Sequence, residues 1–197
     1  MATADTPRPR GRPRRFDPEQ AVATAQRLFH ARGYDAVSVS DVTDALGINP
    51  PSFYAAFGSK AGLYERVLKR YRETGSIPFA DLLRTDRPVA ASLAAVLEAS
   101  AHQYASSPET AGCLVLEGTH CNDDEVRKAN RALHRAAEDL LRNYIAERHP
   151  EEANSVTDFV STTMLGLSAK ARNGDSRDQL LATARLASLA IAQAIRD

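Results

Sequence analysis

No stretch of this chain approaches the roughly 20 consecutive apolar residues that a bilayer-spanning helix needs, and the N-terminus lacks the apolar core of a secretory leader. The expectation is a cytoplasmic protein with no membrane partner. Cysteine is scarce: Cys113 and Cys121 are the two in 197 residues, and without a leader they are expected as free thiols rather than a disulfide. No CxxC or HxxxH spacing marks a closed metal site. No P-loop, GxGxxG or GxSxG is present, so an enzyme is not expected. Paired acids such as Asp123-Asp124 and Glu151-Glu152 stand at helix starts, where the helix dipole accounts for them. Strand-like alternation and internal repeats are absent too, which leaves an all-α fold of about nine helices.

What is present begins with an asymmetry of charge. The net charge is zero. Residues 1–75 nevertheless carry 12 Lys and Arg against 8 Asp and Glu, and the remainder carries 13 against 17. A basic front suits an anionic partner such as nucleic acid. Residues 1–15 hold Arg8, Arg10, Arg12, Arg14 and Arg15 among Pro and Gly. Such a segment buries too little to fold by itself. It reads as a flexible basic arm, either simply solvated or laid on phosphates or in a minor groove.

The chain then falls into helices with local start and stop signals. Asp17, Pro18 and Gln20 open the first, and Val22, Ala25, Leu28 and Phe29 repeat at helical spacing until Gly33. The second runs from about Val39 to Leu46, with Ser38 or Ser40 as cap and Val42, Ala45 and Leu46 as its buried face. Gly47 supplies the turn. Asn49 and Pro50 open the third, which ends near Phe57 after two turns. Phe53, Ala56 and Phe57 face inward there, leaving Ser52, Tyr54 and Ala55 outward. A helix, a glycine turn and a second short helix make the helix-turn-helix layout, whose second helix enters a major groove. Ser59 caps a fourth helix reaching about residue 74. Lys60 in its first turn has the wrong sign for the helix dipole unless a phosphate lies nearby.

The domain division is therefore 1–15 as arm and 16–62 as helix-turn-helix domain. The fourth helix serves as connector, and residues 75–197 form a helical effector-binding and dimerisation domain. In the last helix, from about Ser176, Leu180, Ala184, Ala187, Ile191 and Ile195 form one stripe, and Leu186 and Leu189 lie off it. A helix apolar on more than one side is covered on more than one side, and a second subunit is a plausible cover.

Residues 16–71 resemble the DNA-binding domain of TetR/AcrR transcriptional regulators. The resemblance rests on Leu28-Phe29-His30-Ala31-Arg32-Gly33-Tyr34, Val37-Ser38-Val39, Asp41-Val42, Ala45-Leu46-Gly47-Ile48, Ser52-Phe53-Tyr54, Phe57 and Ser59-Lys60, all in register. It implies Tyr54 and Lys60 as phosphate contacts, Ser38 as a backbone contact, and Pro50, Pro51, Ser52 and Ala55 as the exposed recognition positions. Pro50-Pro51 and Ala55 depart from the family's more polar pattern there. Prolines donate nothing, so direct base reading is thin, and Ser38, Ser40, Ser52 and Arg12, Arg14 and Arg15 of the arm are expected to share recognition.

The resemblance further implies a homodimer paired through its last two helices, with Leu167 joining the stripe above. It places Tyr104, Cys113, Leu116, Phe159 and Met164 on helices that line an effector pocket, although all five also suit an ordinary core. In the C-terminal half, Ala111-Gly112-Cys113-Leu114-Val115 and Met164 to Gly174 resemble a branch that responds to copper or reactive small molecules. Cys113, His120 and Cys121 are the candidate soft-metal or redox groups, with His102 and His134 as the remaining imidazoles. Eight residues apart on one helix, the two thiols would point about 80° from each other, which is no tight pair.

The expected function is a ligand-responsive repressor, without cofactor. It would bind a palindromic double-stranded operator as a dimer and be released by an unknown small-molecule, thiol-reactive or metal effector. An activator of the same family and a cysteine-based redox or metal-handling protein are the alternatives.

Overall fold

The computed structural model describes residues 17–195. Arg12, Arg14 and Arg15 lie outside them. Among the described residues there are ten α-helical segments and no strand. They are α1 (Pro18–Arg32), α2 (Val39–Leu46), α3 (Pro50–Phe57), α4 (Lys60–Thr74), α5 (Phe79–Leu82), α6 (Val89–Tyr104), α7 (Leu114–Gly118), α8 (Asp124–Ala146), α9 (Ala153–Arg172) and α10 (Arg177–Ala194). A 3-10 turn at Pro108–Thr110 precedes α7. The single-turn α5, between Pro78 and Pro88, is an addition to the helices legible in the sequence.

Local chemistry fixes the ends. The Asp17 carboxylate accepts from the N–H groups of Glu19 and Gln20, Asn49 accepts from Ser52, and Ser59 accepts from Gly62. Each satisfies a donor that the first turn leaves without a partner. Gly47 ends α2 at φ 64°, ψ 35°, the left-handed conformation that a side chain resists. The buried face of α2 differs from the expectation in one residue: Ala45 is exposed and Thr43 is buried, its hydroxyl donating to the Ser40 carbonyl.

Two apolar clusters fill the molecule. One joins α6, α8, α9 and α10 around Leu93, Leu97, Tyr104, Leu141, Val160 and Leu180. The other joins α1 to α4 around Phe29, Val42, Phe53, Leu63, Tyr64 and Val67. That second cluster also takes in Leu114, Cys121 and Val126 from the α7–α8 region. The helix-turn-helix head and the body thus share packed side chains as well as α4.

The stripe Leu180, Ala184, Ala187, Ile191 and Ile195 is buried inside the subunit, and so is Leu167. These six pack mainly on α6 and α9 of the same chain, and Leu167 and Ala187 also line the groove on the outer face of α9 and α10. The apolar side chains left in solvent there are Phe159 at 43%, Leu186 at 69% and Leu189 at 70% exposed. No helix among the described residues is long and apolar enough to cross a membrane.

Candidate nucleic-acid interface and effector cavity

The outer face of α3 is small and smooth. Pro50, Pro51, Ser52, Tyr54 and Ala55 are all exposed, while Phe53 and Phe57 anchor the helix from beneath. Tyr54 is 52% exposed and packs edge-on against Phe53, with ring centroids 5.3 Å apart. Its ring is thereby held.

Ser38 and Lys60 both make hydrogen bonds within the head. The Ser38 hydroxyl accepts from the Asp41 N–H and donates to the Asp41 carboxylate, while that carboxylate accepts from the Ser38 N–H at 2.7 Å. This reciprocal cap holds the start of α2. The Ser38 hydroxyl and then the Arg32 guanidinium, at 2.8 Å, hold the Asp41 carboxyl well below the usual carboxylate range. Ser40 is exposed. The Lys60 ammonium donates to the carbonyls of Tyr34 and Val37, each at 3.0 Å, and sits 3.9 Å from the Tyr34 ring centroid. Two of its three protons close the loop between α1 and α2, so at most one is left for a phosphate. The carbonyl pair explains a cation at a helix start, where the dipole alone disfavours it. Arg66 likewise donates to the Ala56 carbonyl at 3.0 Å beside the Phe57 ring.

In the body, a cavity of about 440 Å³ opens between the end of α4, the segment around α5, and α6 to α9. Tyr104, Cys113, Leu116 and Met164 line it. Phe159 does not. It lies on the outward face of α9, in a shallow groove with Leu186 and Leu189 of α10. Tyr71, Leu133, His134, Glu138 and Ser161 also line the cavity, and the sequence alone did not assign them to it. His134 and Glu138 one turn apart on α8 were the available signal.

Cys113, His120 and Cys121 do not come together. Cys113 is at the cavity wall, Cys121 donates to the Asp123 carbonyl at 3.5 Å, and His120 is exposed. Among the described residues no three His, Cys, Asp or Glu side chains are grouped to hold a metal ion.

The profile of the family described as bacterial regulatory proteins, tetR family, matches residues 21–67. The chain is also 56% identical to the HTH-type transcriptional repressor BdcR of Escherichia coli (strain K12), over 97% of both chains. The chain belongs to the TetR family. It is a helix-turn-helix DNA-binding transcriptional regulator, not an enzyme. The HTH-type transcriptional repressor ComR of the same strain is 30% identical over 92% of this chain and 93% of its own. The TetR family regulator CifR, solved in a cysteine-substituted form with 26-base-pair operator DNA, superposes with a TM-score of 0.81. It is 31% identical, with 91% of this chain and 99% of that one covered.

In this TetR chain the cavity wall runs directly into the head. The Tyr71 hydroxyl points at the Cys113 sulfur, 3.6 Å away, and the Tyr71 ring meets the His30 ring edge-on at 5.6 Å. Burial keeps the Tyr71 and Tyr104 phenols protonated by pushing both far above the usual tyrosine range. His30, near the end of α1, donates from Nε2 to the Gly112 carbonyl at 3.1 Å. Arg172 of α9 donates to the His30 carbonyl at 3.0 Å and pairs with Glu117 at 3.3 Å. Gly112 has φ 79°, and a Cβ there would come within 2.9 Å of Ser168 Oγ and 3.0 Å of Arg172 Cγ. The Cys113 N–H donates to Ser168 Oγ at 2.9 Å. The two C-terminal motifs are therefore the two sides of one contact, with α9 pressed on the loop that carries the thiol.

His30 gives this joint a pH dependence. Burial is the main cause that pushes its imidazole down to about 4, opposed by donation to Gly112 and aided by Arg172. An unfolded imidazole binds a proton near pH 6.5. Between those values the unfolded chain holds more protons, so stability is full above pH 6.5 and falls as pH drops toward 4. The loss amounts to about 3 kcal/mol at most, at about 1.4 kcal/mol per pH unit. Thermal unfolding between pH 7.5 and 5 should show this slope, and His30→Gln should flatten it.

Proposed function

We propose that this regulator is a repressor that binds a near-palindromic operator as a homodimer and lets go when a small molecule fills the cavity. The observation that carries the reading is the contiguity of Tyr71, Cys113, Gly112 and His30. A ligand touching Tyr71 or Cys113 presses on the residues that hold the end of α1, and hence the head. Only a ligand that fits one head position better than another shifts the balance between them. The names of BdcR and ComR as repressors support the sign, and the CifR complex supports operator binding.

In this reading Pro50, Pro51, Ser52 and Ala55 give apolar and small contacts in the major groove, and Tyr54 anchors a phosphate. Two heads would meet major grooves about 34–36 Å apart. The domain roles follow: arm and head on DNA, body for effector and pairing. Gel shift on the protein's own upstream region, with deletion of the gene raising transcription from it, tests the repressor reading. Lowered transcription instead makes it an activator. Replacing Arg8, Arg10, Arg12, Arg14 and Arg15 with Ala should weaken that binding and flatten its salt dependence. The log–log slope should fall by about 0.9 for each phosphate that the arm no longer neutralises.

A thiol-reactive effector is the second reading, because Cys113 is at the cavity wall. Cys113→Ser should then bind operator normally and ignore an electrophile that releases the parent protein.

A further inference from the structure

The cavity wall is mostly apolar, and on its α8–α9 side a polar group interrupts it. His134 and Glu138 stand one turn apart on α8, and Ser161 of α9 meets them. The Ser161 hydroxyl donates to Glu138 Oε1 at 2.7 Å. His134 Nε2 lies 3.0 Å from Ser161 Oγ and 3.2 Å from the same Glu138 Oε1. All three side chains line the cavity, and Ser161 is only 6% exposed.

This is not a Ser–His–acid hydrolytic arrangement. There the acid orients the far imidazole nitrogen, and the near one takes the hydroxyl proton. Here the carboxylate takes the hydroxyl proton itself, so the serine is held and not activated. The group is built to bind. A carboxylate accepts at about four lone-pair positions. The contacts of Ser161 and His134 both converge on Oε1, and Oε2 has no protein donor among the described residues. The Glu138 side chain is 25% exposed, so Oε2 is open to whatever enters the cavity, and a donor placed there by a ligand would replace water.

We propose that the cavity takes a small, largely apolar organic cation of the protonated-amine class, with its charged end on Glu138 Oε2. The proposal rests on the reading of this cavity as the effector site. The other lining charges are Arg72 and Asp81, both exposed, so within the wall Glu138 sets the sign. An anionic ligand would meet a like charge there. A volume of about 440 Å³ suits a ligand of modest size.

The test uses three probes that share one skeleton: 4-phenylbutylamine, 4-phenylbutan-1-ol and 4-phenylbutyrate. Each is titrated calorimetrically into the full chain at pH 8, above the ordinary imidazole range. The amine should bind at least about tenfold more tightly than either other probe, as a charge-assisted bond predicts. Glu138→Gln should remove that preference, bringing the amine's affinity down to that of the alcohol. Equal binding of amine and alcohol, tighter binding of the butyrate, no amine binding at all, or a preference that survives Glu138→Gln would each overturn the proposal. The comparison among probes on the unmodified chain decides the matter even if the variant folds poorly. A parallel gel shift separates the two readings. Amine that binds without releasing DNA overturns the effector role and leaves the ligand assignment standing. Release by the alcohol or the butyrate, with no amine binding, does the reverse.

Discussion

Replacing both Leu186 and Leu189 with Glu is expected to abolish tight operator binding while the subunit stays folded. The two side chains are about 70% exposed on α10, and Phe159 lies beside them on α9. Exposed leucines of this kind, grouped with a third large apolar residue, mark an interaction surface. Ala187 of the stripe lies at the edge of this surface, but Leu186 and Leu189 themselves are outside the subunit's own core, so changing them leaves that core intact. Two carboxylates facing two more across a symmetric pairing would be desolvated without partners, which a dimer does not tolerate. Losing the second head costs the effective concentration that links two half-sites, about 100-fold or more in affinity. Sedimentation or light scattering should show a monomer with an unchanged helical signal. A variant that remains dimeric would move the interface elsewhere. A monomer that binds the full site as tightly as before would remove pairing from operator recognition.

Gly118→Ala is the second large effect, and it acts on the fold. Gly118 ends α7, and a Cβ there would fall 2.4 Å from both Cγ and Nδ2 of Asn130. Asn130 is fully enclosed, at 0% exposure. Its Nδ2 donates to the Val126 carbonyl at 2.8 Å, and its Oδ1 accepts from the Tyr64 hydroxyl at 3.4 Å. The methyl group must displace this amide or push α7 off α8. Either outcome strips buried polar groups of partners or opens the packing between head and body. Overpacking of this kind, together with broken buried bonds, costs about 2–4 kcal/mol. For a chain of this size that lowers the unfolding midpoint by about 5–15 °C. Asn130→Ala in the same chain should restore part of the loss, giving a coupling of about 1 kcal/mol or more between the two sites. A melting point within a degree of the parent would show that α7 and α8 do not pack as described.

Pairing and the shared head–body core had different legibility in the sequence, for one reason. Helix ends are local. Asp17, Asn49 and Ser59 bond N–H groups two or three residues away, and Gly47 adopts its left-handed turn by itself, so all were readable in order along the chain. The inward faces of α1 and α3 follow from spacing as well. Periodicity in α10 reports that Leu180, Ala184, Ala187, Ile191 and Ile195 are covered, but not by what. The stripe packs on α6 and α9 of its own subunit, and Leu186 and Leu189 lie on the face left in solvent.

The site shows the same division. The register of the helix-turn-helix, the capping serines and the exposed prolines of α3 were legible because they depend on neighbours in sequence. Lys60 was not, because its carbonyl partners sit 26 and 23 residues earlier. Phe159 belongs to a helix that lines the cavity, yet on α9 a rotation of the helix decides between cavity and solvent. The contact of His30 with Gly112 spans 82 residues, and Ser161 reaches Glu138 across 23. By itself the sequence determined the helices other than α5, the caps of the head, the DNA-reading layout and the family. The tertiary structure alone decided which apolar face was spent on the core and which cation was spent on carbonyls. It also decided which polar groups meet in the cavity, because those choices depend on how helices rotate against one another and not on the order of residues within them.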